Sequence, residues 1–103
     1  MNRNLLLSIP LIQEVPELPS DLEGEEIYDW AMYQLIEIRR LLQALVYHNT
    51  KPRSLQYWFD ETKLTILNAF IASGLVNERI GGIREILKEV TDMANQLKSI
   101  PYS

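Results

Sequence analysis

The sequence has no cysteine and a single histidine, His48, among its 103 residues. Without thiols there is neither a disulfide framework nor a thiolate ligand, and one histidine argues against a histidine-rich zinc site. We expect His48 in the last turn of a helix, as a donor near unpaired carbonyls, rather than as a catalytic group. The apolar runs are all far shorter than the roughly 20 residues of a membrane-spanning helix. These shortages predict no metal, no cofactor and no membrane contact.

Basic charge is also scarce. Ten lysines and arginines face 14 aspartates and glutamates, which gives a net charge of -4. The diffuse attraction to phosphate that underlies non-specific nucleic-acid binding is therefore missing, and we do not expect nucleic acid as a partner. The composition, 47% hydrophobic and 23% charged, is that of one globular domain with a modest core. Chains of this size often bury more surface by associating.

Residues 1–21 are predicted to form an extended arm. Pro10, Pro16 and Pro19 each remove a backbone donor and push the preceding residue toward extended geometry. No small-residue cleavage pattern follows the apolar run, so the arm is a poor signal peptide. Side chains of an extended chain alternate between two sides. The arm can therefore place four apolar residues on one side, namely Leu5, Leu7, Ile9 and Leu11, and Ile12 follows them in the sequence. The arm covers the chain's own Trp30 and Tyr33, docks on another chain or stays disordered.

Residues 22–103 are predicted to form an all-α domain of three helices, at about 25–48, 54–73 and 78–99, either a three-helix bundle or a helical hairpin. Each helix has an apolar stripe at helical spacing. The first stripe is Ile27, Ala31, Leu35, Ile38, Leu42 and Leu45; the second is Leu55, Phe59, Thr62, Ile66, Ala69 and Phe70; the third is Ile83, Leu87, Val90, Ala94 and Leu97. We expect the deepest burial at Leu35, Ile38, Leu42, Phe59, Ile66, Phe70, Leu87 and Val90.

The helix ends also carry signals. Ser20 or Asp21 is predicted to cap the first helix, Ser54 the second and Asn77 the third. Gly74 is predicted to stop the second helix in a left-handed conformation.

The first two helices carry more apolar side chains than one buried face requires. On the first helix these are Trp30, Met32, Tyr33, Ile36 and Tyr47, and on the second they are Tyr57, Leu64, Leu67 and Ile71. Such surplus apolar surface is typical of proteins that bind a partner. Our predicted partner-binding residues are Leu5, Leu7, Ile9, Leu11, Ile12, Trp30, Tyr33, Ile36, Tyr57 and Trp58.

Two acidic groups raise a catalytic alternative. Glu25, Glu26 and Asp29 share one helical turn, and Glu89 and Asp92 lie three residues apart on the last helix. Carboxylates on facing helices are how a bundle builds a magnesium site. The spacing resembles the paired acidic motifs of the all-α, MazG-like nucleotide pyrophosphatases, which implies metal-dependent nucleotide hydrolysis. The chain departs from that family because a whole helix separates the two groups and no phosphate-gripping lysine pattern accompanies them.

A second alternative is a DNA-binding regulator. The second and third helices with their connecting turn would form a helix-turn-helix, with Arg79, Arg84 and Lys88 as the reading residues. The acidic surface argues against this assignment.

The hypothesis that the sequence favours is a protein–protein interaction or assembly subunit without catalytic residues. Its partners are copies of itself or a larger assembly, as in viral and phage structural or accessory proteins, and its location is cytoplasmic or in the virion. An adaptor or inhibitor that binds a larger protein fits the same features.

Overall fold

The computed structural model describes residues 14–101. They contain three α-helices, α1 (Glu25–His48), α2 (Leu55–Ser73) and α3 (Ile80–Leu97). The all-α prediction is confirmed, and the helices begin and end within two residues of the predicted positions. The connections, residues 49–54 and 74–79, are of the length that usually joins antiparallel neighbours.

The central helix of the bundle is α1, because α2 and α3 each pack along it and touch one another much less. Near its start, the Tyr28 ring lies 5.4 Å from the Phe70 ring at the end of α2. Arg79, just before α3, bonds Glu25 at the same end of α1. Thus α2 runs antiparallel to α1, and α3 runs parallel to it.

The predicted stripes of α1 and α2 form the core. Every member of both is buried, including Thr62 at 1% exposure. Seven of the eight residues expected to be deepest are buried: Leu35, Ile38, Leu42, Phe59, Ile66, Phe70 and Val90. The prediction for Leu87 was wrong, since it is only half-buried.

The reason for the error at Leu87 is the packing of α3. This helix packs chiefly on α1. It buries only one narrow row of residues, spaced seven apart, which are Ile83, Val90 and Leu97. Leu87 flanks that row and lines an open groove beside Lys63 of α2. An apolar stripe shows which face of a helix is apolar, but it does not show how much of that face a neighbouring helix covers.

The predicted caps at the helix starts are wrong in detail. Gly24 occupies the cap position of α1 with φ 49° and ψ −114°, and no side chain caps that helix. Instead Glu26 Oε1 accepts a hydrogen bond from the Glu23 backbone N–H at 3.4 Å. Ser54 does precede α2, but its side chain makes no capping bond. Arg79, rather than Asn77, precedes α3.

The helix C-termini follow the expected chemistry. Gly74 ends α2 with φ 74°, which confirms the predicted left-handed stop. Asn49 ends α1 with φ 53°, and its N–H bonds the carbonyls of Leu45 and Val46. Asparagine is one of the few non-glycine residues that adopt this conformation readily.

The described part of the arm packs on its own chain. Val15 and Leu18 of the arm, and Leu22 directly after it, are half-buried against the core. The other apolar residues predicted for the arm, Leu5, Leu7, Ile9, Leu11 and Ile12, lie outside the described residues.

Candidate protein interface

Three large apolar side chains line the outer side of α2. Tyr57, Leu64 and Ile71, here called the outer stripe, are 69%, 54% and 70% exposed. They are seven residues apart, which is close to two helical turns, so they lie in one row about 21 Å long. At 100° per residue this row is opposite the buried face of α2. The outer stripe therefore contributes little to the core of its own chain.

Polar residues border the outer stripe unevenly. Near the start of α2, Asp60 and Glu61 are exposed, and the Asp60 carboxylate accepts a hydrogen bond from Gln56 Nε2 at 3.0 Å. Near the end of α2, the exposed border residue Asn68 is neutral. Lys63 Nζ lies 5.8 Å from the centre of the Phe59 ring, on the side toward the core. The outer face of α2 is thus acidic in its first half and neutral in its second.

The exposed aromatic residues of α1 do not form an equivalent row. Tyr33 is 59% exposed and Tyr47 is 72% exposed. Midway between them in the sequence is Arg40, whose Nη1 lies 3.4 Å from Glu37 Oε2. A charged pair therefore interrupts this side of α1.

The other predicted partner-binding residues differ in exposure. Trp30 and Ile36 are half-buried, and Trp30 packs against the core. Trp58 is buried at 8% exposure as a core member, which removes it from the candidate surface. Tyr57 is exposed, as expected. The predicted set omitted Leu64 and Ile71, although their seven-residue spacing from Tyr57 was a signal in the sequence.

The acids of the first predicted magnesium cluster face a cation. Glu25 Oε2 accepts a hydrogen bond from Arg79 Nη2 at 2.7 Å. This bond raises the pKa of Arg79, and the guanidinium carbon lies 4.7 Å from the centre of the Tyr28 ring. Glu25 is therefore part of a contact that joins the start of α3 to α1.

The acids of the second cluster are paired as well. Glu89 Oε1 lies 2.9 Å from Arg39 Nη1, and Asp92 Oδ2 lies 3.0 Å from Lys88 Nζ. Within residues 14–101, no group of three or more histidine, aspartate or glutamate side chains is arranged to hold a metal ion. Within the described residues, the two acidic motifs do not come together to form one metal site.

The residues of the helix-turn-helix alternative are mostly engaged within the chain. Arg79 bonds Glu25, and Lys88 bonds Asp92. Arg84 is exposed and lines the open groove between α2 and α3.

Four buried polar atoms have no hydrogen-bond partner within residues 14–101. They are His48 Nε2, Thr50 Oγ1, Trp58 Nε1 and Thr62 Oγ1. A small cavity of about 30 Å³ lies where the start of α2 meets the end of α3, between Leu42, Phe59 and Leu97. Ligand pockets usually measure about 300 to 1,000 Å³, so this cavity is too small for a metabolite.

None of the helices in residues 14–101 combines the length and apolar character needed to cross a membrane. Comparison of the chain with known protein families, with curated proteins and with solved structures gives no match.

Proposed function

We propose that this protein is a small helical subunit that binds another protein through the outer stripe of α2. The observation that carries the proposal is the exposure of Tyr57, Leu64 and Ile71 in one row on the side of α2 opposite the core. Fully burying a side chain of this kind contributes roughly 1.5 to 3 kcal/mol. A partner that covers the row gains that contribution, which the isolated chain leaves unused.

The neighbours of the outer stripe support an interface. An interface commonly has an apolar centre and a polar rim. Here Asp60, Glu61 and Asn68 form the rim around the three apolar side chains. Exposed tyrosine favours the same assignment, since aromatic residues are enriched at protein contacts.

An assembly subunit and an adaptor for a larger protein would both use such a surface. The arm remains part of the same proposal. Docking of residues Leu5 to Val15 across a subunit or partner boundary, with Trp30, Tyr33 and Ile36 in the surface that receives another chain, stays a prediction. Within that range, Val15 packs against its own core.

The test compares two tyrosines of almost equal exposure. Tyr57 is 69% exposed and belongs to the outer stripe, whereas Tyr47 is 72% exposed on α1. We expect Tyr57→Lys combined with Ile71→Lys to abolish association, because two buried charges would face the partner. Tyr47→Lys should leave association unchanged. Association is measured as mass in solution for the purified chain, and as co-purifying protein for the chain expressed in cells.

Circular dichroism should show the same helix content in all variants, because neither change touches the core. The proposal fails if the stripe variant associates as the native chain does. It also fails if the native chain associates with nothing in either measurement.

A further inference from the structure

The outer stripe is symmetric about its middle residue. Tyr57 precedes Leu64 by seven residues and Ile71 follows it by seven, so the flanking side chains lie about 10 Å on either side along the helix. We propose, on the basis of the proposed function, that the partner is a second copy of this chain, with its α2 antiparallel to the first. A two-fold axis then passes beside Leu64. Leu64 meets its own copy, and Tyr57 meets Ile71 of the second copy.

Under two-fold symmetry, a single row of residues is enough to form both sides of an interface. In a two-fold dimer the same patch serves both subunits, so each contact is made twice. The outer stripe has an apolar residue at the same distance on each side of Leu64. It can therefore pair with an identical stripe that is related to it by a two-fold rotation. Seven-residue spacing also keeps a row on one side of a helix, as in paired helices.

The border charges select the antiparallel direction. If the two α2 helices ran parallel, Asp60 and Glu61, which flank the row on opposite sides, would each lie beside the other's copy, so that an Asp60–Glu61 pair formed twice. Like charges placed opposite one another are destabilising. In the antiparallel arrangement, Glu61 lies at the height of Asn68 of the second copy and on the same side of the row. The Asn68 amide can then donate a hydrogen bond to that carboxylate.

Antiparallel pairing also separates the acids. The two Glu61 carboxylates are then about 9 Å apart along the helices, and the two Asp60 carboxylates about 12 Å. These separations are close to the Debye length of about 8 Å at physiological salt, so their repulsion is largely screened. The acidic first half of one α2 lies beside the neutral second half of the other.

The expected dimer is weak. One helix face with three apolar anchors is at the low end of interface size. We therefore expect the mass in solution to rise from that of a 12.0 kDa chain toward twice that value as concentration increases. Sedimentation velocity across a concentration series measures this change.

Substitution of Asn68 tests the geometry. Asn68→Lys places a cation opposite Glu61 of the second copy, twice per dimer, and should tighten the dimer roughly fivefold. Asn68→Glu places like charges there and should weaken it by a similar factor. The same substitutions at Asn95, which is exposed on α3, supply the matched controls and should change nothing.

A cross-linking experiment reports the direction independently. The chain has no cysteine, so introduced thiols have no competitors. Mixing chains that carry Glu61→Cys with chains that carry Asn68→Cys should give the mixed disulfide in preference to either symmetric one.

Other results would overturn the inference. If Asn68→Lys fails to tighten the dimer and the mixed disulfide is not preferred, the antiparallel pairing is wrong. If the native chain stays a monomer at all concentrations, a second copy is not the partner. Binding of a different protein that depends on Tyr57 would in that case leave the proposed function standing. If a dimer forms but Leu64→Lys does not weaken it, the dimer uses another surface and this inference fails.

Discussion

At the scale of single residues, the buried polar atoms are where this fold departs from ordinary packing. Thr62 is 1% exposed on the core face of α2, and its hydroxyl has no partner in the part of the chain that the structure describes. By contrast, the buried hydroxyl of Ser73 donates to the Phe70 carbonyl at 2.6 Å. Leaving a buried polar group unpaired costs about 1 to 3 kcal/mol. We therefore expect the Thr62 hydroxyl to lower the stability of the core that surrounds it.

Replacing this hydroxyl should stabilise the protein. Thr62→Val keeps the branched shape and removes the unpaired group, so we expect the free energy of unfolding to rise by about 1 kcal/mol or more. Urea denaturation followed by circular dichroism measures the change. Thr62→Ser is the matched control, since it keeps the hydroxyl and deletes the methyl group, and it should lower stability. A loss of stability in Thr62→Val would show that the hydroxyl is satisfied in solution.

At the scale of the elements, the helices follow their sequence patterns in the middle and depart from them at the ends. The stripes of α1 and α2 were predicted because burial on one side imposes a period of 3.6 residues. The cap of α1 was not predicted. Ser20 and Asp21 have side chains that suit a cap, but the helix begins after Gly24, which occupies the cap position. The buried place of Trp58 also escaped prediction, since it lies at the edge of the α2 stripe.

The candidate interface was predicted only in part. Its face of α2 was identified from Tyr57, Leu64, Leu67 and Ile71, but only Tyr57 entered the predicted binding set. Leu67 is half-buried in the structure, whereas the other three are exposed. Periodicity places residues on a face, and exposure depends on the helices beside it.

Glycine has opposite effects at two helix ends. Gly82 lies in the first turn of α3, and no atom is within 4 Å of where a methyl group would sit. Gly82→Ala should therefore stabilise the fold by about 0.5 to 1 kcal/mol through helix propensity. Gly74 has φ 74°, so Gly74→Ala should destabilise it despite equally open surroundings. Urea midpoints of the two variants should move in opposite directions, and a shift of both in one direction would contradict this account.

At the scale of the whole molecule, α1 holds the bundle together. It buries seven residues, Ile27, Tyr28, Ala31, Leu35, Ile38, Leu42 and Leu45. Its ion pairs, Glu25 with Arg79 and Arg39 with Glu89, join it to α3 and its start in the order expected of parallel helices. The outer side of α2 faces away from α1, and within residues 14–101 it stays exposed at Tyr57, Leu64 and Ile71. The topology thus leaves room for a second copy without disturbing the core.

The narrow buried row of α3 also sets the order in which the molecule opens. Only Ile83, Val90 and Leu97 of this helix are buried, so its detachment exposes less apolar surface than unfolding α1. Regions with few buried contacts open locally at lower free energy. Backbone amides of α3 should therefore exchange with deuterium before those of α1, leaving an α1–α2 hairpin as the last ordered unit. Equal protection in all three helices would mean that the bundle opens only as a whole.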